Sequence, residues 1–147
     1  MHARRAIRDA AVQALAGLPS TGTNVHATRL YPIEPVGLPA LCIYTLAEES
    51  GFDTLGGTSR KLLRRLELAV EIVAQVNETL DETLDQICLE VENALGTNFT
   101  LGGTAKDCEL QSTKITVRGE GEKQTGSAVL IFGVTYRTLA SNAATLA

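Results

Sequence analysis

The sequence has no tryptophan, and only three phenylalanines and three tyrosines among its 147 residues. Its core must therefore be mostly aliphatic, and stacked-base recognition has little to work with. Histidine occurs only as His2 and His26. With no local metal-ligand spacing around either, no metal site is expected. His2 is expected to be solvated. The three cysteines, Cys42, Cys88 and Cys108, are odd in number, far apart and without a CxxC pair. That excludes a regular disulfide framework and predicts small, reduced, buried thiols, as in a reducing cytosol. No Gly-x-Ser-x-Gly elbow is present. The run Gly56-Gly57-Thr58-Ser59-Arg60-Lys61 lacks phosphate-loop order and precedes a strand, so its amides would not converge on a phosphate. No run approaches about 18 apolar residues, so no membrane-spanning helix is expected. Arg4, Arg5, Arg8 and Asp9 stand where a secretion signal would need its apolar core. A basic excess is also missing: 13 Lys and Arg against 17 Asp and Glu give a net charge of −4, which argues against nucleic acid as the main partner.

What is there is organised around residues 60–95. Leu66, Leu68, Val70, Ile72, Ala74 and Val76 alternate, the period of a strand with one buried face. After Asn77 the period changes. Leu80, Leu84, Ile87, Cys88, Val91 and Leu95 follow steps of three and four and form one stripe on a helix. Thr79-Leu80-Asp81-Glu82 fits a capping box at its start, and Gly96 suits its end.

Residues 3–18 read as an amphipathic, Ala-rich first helix, stopped by Pro19. A short strand follows at residues 25–31. Pro32 and Pro35 make the next segment a connecting arm. Residues 41–46 form a nearly continuous apolar strand. Residues 47–59 read as a mobile polar loop, residues 107–118 and 126–138 as two more strands joined by a flexible loop at 119–123, and residues 139–147 as a frayed tail of the same single domain. The order α-β-β-β-α-β-β predicts an α+β fold, a mainly antiparallel sheet of about five strands with two helices on one face.

Charge is distributed unevenly. Arg60, Lys61, Arg64 and Arg65 cluster at the start of the third strand, while the second helix and its lead-in carry Glu78, Asp81, Glu82, Asp85, Glu90 and Glu92 without a base. A basic patch of one subunit meeting an acidic patch of its neighbour would fix register more than affinity. The loop acids Glu48, Glu49 and Asp53, and Glu120, Glu122 and Lys123 of the later loop, complete the predicted interaction residues. No catalytic, cofactor-binding or metal-binding residue is assigned. A small cysteine hydrolase using Cys42 or Cys88 with His26 is the enzymatic alternative, although both cysteines lie on predicted core faces, where a thiol is inert.

Several of these segments, in this order, carry a family resemblance: the helix at 3–18; Leu38-Pro39-Ala40-Leu41-Cys42-Ile43-Tyr44; Leu66-Glu67-Leu68-Ala69-Val70-Glu71-Ile72; Leu84-Asp85-Gln86-Ile87-Cys88-Leu89-Glu90-Val91-Glu92; and Val129-Leu130-Ile131-Phe132-Gly133-Val134-Thr135-Tyr136. Over nearly the whole chain this resembles the tail terminator proteins of long-tailed, lambda-like phages. The resemblance implies a non-enzymatic virion protein without cofactors, assembled in the host cytoplasm. It implies a ring, usually of six copies, that caps the tail tube, stops its polymerisation and offers a surface to the head–tail connector. DNA would pass through the lumen without specific binding. Another neck or connector protein of the same phage is the nearest alternative. On this reading, charge reversal at Arg64 and Arg65 weakens ring or tube binding and leaves the fold intact.

Overall fold

The computed structural model describes residues 1–28, 37–53, 59–76, 78–120 and 123–147. Its elements are α1 (Ala3–Leu15), β1 (Val25–His26), β2 (Ala40–Phe52), β3 (Lys61–Val76), α2 (Leu80–Thr97), β4 (Asp107–Glu120), β5 (Lys123–Leu139) and β6 (Asn142–Leu146). The fold is α+β. The sheet runs β1-β2-β3-β5-β4, with β6 added to β5. Every pairing is antiparallel except β1 with β2.

The alternating pattern of β3 does what its period requires. Leu66, Leu68, Val70 and Ile72 stand opposite Val134, Phe132, Leu130 and Ala128 of β5, and Val70 and Ile72 also stand opposite Ile43 and Leu41 of β2. All of these are buried in one cluster with Ile7, Ala11 and Leu15 of α1 and Leu84, Ile87, Val91 and Leu95 of α2. Each fully buried aliphatic side chain contributes about 1.5–3 kcal/mol, so this aliphatic interior holds the layers together without large aromatics. α1 packs against β2 and α2, and α2 covers β3, β5 and the near part of β4.

Several boundaries differ from expectation. β2 does not stop at residue 46 but continues to Phe52, so most of the predicted loop at 47–59 is strand; residues 54–58 lie outside the described residues. A bulge permits this. Thr45 pairs with Leu68 and Glu48 with Leu66, so Leu46 and Ala47 together oppose Glu67. β4 and β5 likewise run on to pair Glu120 with Lys123, shortening the predicted loop at 119–123 to its tip. The segment expected as a frayed tail forms β6, a sixth strand, with Thr138 opposite Leu146. Of the predicted strand at 25–31, Val25–His26 is strand, and 29–31 lie outside the described residues.

The capping box at Thr79 is absent. Thr79 sits at φ 59°, a left-handed conformation, and its side chain caps nothing. Its carbonyl instead accepts from Thr83 N and Thr83 Oγ1, both at 3.0 Å. At α1 the cap is His2, whose Nδ1 accepts from Arg4 N at 3.1 Å, so His2 is half-buried rather than solvated.

Two strand glycines mark close approaches of different kinds. A Cβ on Gly126 would lie 2.9 Å from Cδ2 of buried Leu80 and 3.2 Å from Cδ1 of Leu84. A Cβ on Gly133 would meet the side chain of Gln111, an exposed residue at the bulge in β4 that is free to move aside. Gly126→Ala is expected to destabilise by about 1–3 kcal/mol, because two packed leucines must shift. Gly133→Ala is expected to be neutral or to stabilise by about 0.5–1 kcal/mol through lost chain entropy. Urea unfolding of the two variants, giving opposite signs, checks the seating of α2 over β5.

Candidate functional site

The bulge in β2 has a chemical consequence. It resets the alternation so that Glu48 falls on the helix-covered face, opposite Leu66 and one step from Arg64. There its side chain is only 9% exposed and serves as a hub. Oε2 accepts from Arg64 Nη1 at 3.1 Å and from Arg4 Nη1 at 2.5 Å, and Oε1 accepts from the hydroxyl of fully buried Tyr136. Arg64 is itself buried, and its Nε donates to Thr138 Oγ1 at 3.0 Å. The network ties α1, β2, β3 and β5 together.

Burial alone would raise the Glu48 carboxyl. The hydrogen bonds from Tyr136, Arg4 and Arg64 outweigh it and hold the pKa below the usual carboxylate range. Burial, then the bond to Glu48, pushes Tyr136 up. His2 is lowered, by burial first and then by Arg4 and Arg64. A carboxylate of lowered pKa that accepts three hydrogen bonds, two of them from arginines, is a poor proton acceptor. The cluster is a structural tie rather than an acid–base site.

The predicted interaction residues are therefore not one surface. Arg64 leaves the basic cluster and enters the core, while Arg65, the next residue, points to the opposite face across from Glu49. This corrects the expectation that Arg64 could be reversed with the fold intact. Asp53 follows the end of β2 and pairs with Arg137, Oδ2 to Nε at 2.8 Å. Arg60 lies over the exposed Phe52 ring, 5.6 Å from its centroid. Lys61 opens β3 opposite Leu139. These residues gather at one end of the sheet. Glu120 and Lys123 close the β4–β5 hairpin at the other end, and Glu122 lies outside the described residues. Arg4, His2, Tyr136 and Thr138 were missed by sequence reasoning. Tyr136 fitted an apolar alternation, and nothing local announces the bulge that brings Glu48 to it.

Register also places His26 directly opposite Cys42, and Cys42 opposite Glu71. The order within that row is wrong for a nucleophile triad. The carboxylate neighbours the thiol rather than the imidazole, so it cannot orient the base. Cys42 is 2% exposed. Burial, reinforced by nearby carboxylates, pushes Cys88 up to about 11 and Cys108 up to about 12. Among the described residues, no group of three or more His, Cys, Asp or Glu is placed to hold a metal ion, and no helix is long and apolar enough to cross a membrane.

The sheet margins carry unpaired strand edge among the described residues. β4 pairs with β5 on one side and, among the described residues, with nothing on the other. It is 14 residues long. Leu110, Ile115 and Val117 project to the helix side of β4, opposite Phe132, Ala128 and Gly126, yet remain exposed because α2 does not reach over them. On the far margin, among the described residues, β1 pairs with β2 at Leu41 and Cys42. A long edge with apolar side chains is a template for pairing with another chain.

No family model matches the chain, and no curated protein matches it. Among solved structures it is similar to a chain in "Virion of native gene transfer agent (GTA) particle", at 11% identity over 87% of this chain and 93% of that one, with a TM-score of 0.40. A likeness of that degree carries no argument about what this chain does.

Two predictions follow from the site geometry. Arg64→Met, which removes a buried partner of a buried charge, is expected to cost about 3–5 kcal/mol. Arg4→Ala, at a position 38% exposed, should cost about 1 kcal/mol or less. The folded pKa values of both His2 and Glu48 are lowered, so each contributes stability that is present above its unfolded value and lost as pH falls through the folded one. Urea midpoints should thus decline first below 6.5 and again below 4.5, the ordinary values of the two groups. Glu48→Gln should flatten the second decline. Separately, all three thiols are expected to react slowly with a disulfide reagent near neutral pH and rapidly in denaturant; fast native labelling of Cys42 would revive a Cys–His nucleophile.

Proposed function

We infer that the chain is a structural component of a phage-type virion and not an enzyme. Copies join head to tail through their sheet margins into a ring, six-fold in the reading the sequence supports. The ring caps the tail tube, stops its polymerisation and presents a surface to the head–tail connector. DNA passes through the lumen, where a protein of net charge −4 does not hold it.

The observation that carries this reading is the open edge of β4, with Ile115 49% and Val117 46% exposed beside it. The two margins of the sheet differ, one ending in β4 and α2, the other in β1, β2 and α1. A contact between unlike margins is heterologous and closes as a ring when the rotation permits. The hairpins suit axial partners. Asp53 and Arg60 lie at the Lys61 end of β3 and Glu120 and Lys123 at its Val76 end, about 50 Å apart for 16 residues of strand. One end would meet the tail tube protein and the other the connector. The resemblance to tail terminators supports the assignment of those partners. Assembly takes place in the host cytoplasm, and the mature location is the virion tail.

The test is native mass and negative-stain imaging of the protein alone and with purified tail tubes. Rings at tube ends, and tubes of fixed length, support the reading; binding to portal complexes instead would make the chain a different neck protein. Ile115→Lys with Val117→Lys, both at exposed positions, should leave the urea midpoint nearly unchanged while abolishing rings.

A further inference from the structure

The two flanks of the helix layer carry opposite charge. In α2, Glu90 marks the side towards α1, since its carboxylate accepts from Ser20 N at 2.9 Å and Ser20 Oγ in the segment after α1. Asp81, Asp85 and Glu92 lie about 140–180° round the helix from Glu90, on the β4 side. Asp85 and Glu92 stand three residues before and four after Cys88, the spacing of neighbours on one side of a helix, and both raise its thiol after burial does. Between them Leu89 is 51% exposed. The flank therefore combines three acids with a solvated leucine, above the uncovered Ile115 and Val117.

The opposite flank of the molecule is basic. α1 lies over β2, where Arg4 reaches Glu48. Arg5 is exposed and in only a loose pair with Asp9, at 3.8 Å. Arg8, one turn beyond Arg4, is half-buried, and its Nε is enclosed without a hydrogen-bond partner among the described residues.

We propose that the α2 flank of one copy, Asp81, Asp85 and Glu92 around Leu89, docks on the α1 flank of the next, with Arg5 and Arg8 as its cations. The occupant is a second copy of this chain. The flanks complement each other and neither complements itself, so the contact is directional and excludes a two-fold pair. It would supply the register that a bare strand edge lacks, because edge pairing alone tolerates slippage. The proposal rests on the ring reading and adds the charge key that orients neighbouring copies.

Charge exchange tests it in the full chain. Asp85→Lys with Glu92→Lys makes one variant, and Arg5→Glu with Arg8→Glu the other; circular dichroism and urea midpoints establish folding. Arg5→Glu alone, at a solvated position, replaces the second variant if Arg8 proves necessary for folding. Sedimentation velocity, with and without tail tubes, should show each variant needing at least about tenfold more protein to assemble than the wild type. Mixing the two in equal amounts should restore assembly, since every junction then pairs opposite charges. Assembly should weaken as salt rises from roughly 0.05 M to roughly 0.5 M. Variants that assemble as the wild type does, or a mixture that fails to recover, overturn the helix contact while leaving the ring intact. A wild-type chain that stays monomeric even on tubes overturns the ring reading itself.

Discussion

One buried carboxylate constrains this fold more than any other group. Glu48 stands among aliphatic side chains, where an unpaired charge would be untenable. It persists because Arg4, Arg64 and Tyr136 each give it a hydrogen bond. Those donors come from the first helix, the central strand and the last long strand. Helix α1 must then start at one place over the sheet, and β2, β3 and β5 must hold one register at that level. Apolar burial would tolerate sliding by two residues along β3, since leucines recur at that spacing. The carboxylate does not, because a two-residue slip would put Leu66 or Leu62 where Arg64 stands.

The bulge at Leu46 and Ala47 is the other half of this constraint. Without the extra residue, the alternation that puts Leu41, Ile43 and Thr45 on the helix side would send Glu48 to the far face and Ala47 or Glu49 to the core. Glu49 has no donors waiting there. The bulge is thus a device that delivers one chosen acid to the interior. It also bends β2, as bulges do, at the height where α1 begins. His2 belongs to the same assembly. It caps α1 beside Arg4, and burial, then the cations Arg4 and Arg64, lower its pKa.

The sequence was legible where one physical rule acts alone. The period-two run in β3 and the stripe of α2 both fall on the core side, because each is a long segment with one continuously apolar face; β3, a central strand, also buries Ala69 and Glu71 on its other face. The α+β layout followed from them. Legibility failed where two rules compete. Thr79-Leu80-Asp81-Glu82 has capping chemistry, but the left-handed backbone at Thr79 turns its hydroxyl away from the helix. Glycine and acid content made residues 47–52 look like loop, yet pairing with an unbroken β3 outweighs local propensity there. Arg64 looked like part of a solvated cluster, because its partner lies 16 residues away in sequence and faces it only after the bulge. The candidate interface was partly visible: the acids of α2 could be counted, but which of them face the β4 margin depends on where Ser20 meets Glu90.

The same division explains why charge does different work in the two places. Glu48 is enclosed and held by three donors of its own chain, so it acts within the subunit. The acids on the outer side of α2 have no basic residue on their own helix and remain in water, where single ion pairs contribute little. They gain importance only if several are desolvated together beside an apolar surface, and the exposed Leu89, Ile115 and Val117 provide that surface. On the proposed reading, such a subunit folds by one electrostatic centre and would select its neighbour by another. The two are separated by the width of the helix layer, so the second can respond to ionic strength or to a tube end without disturbing the first.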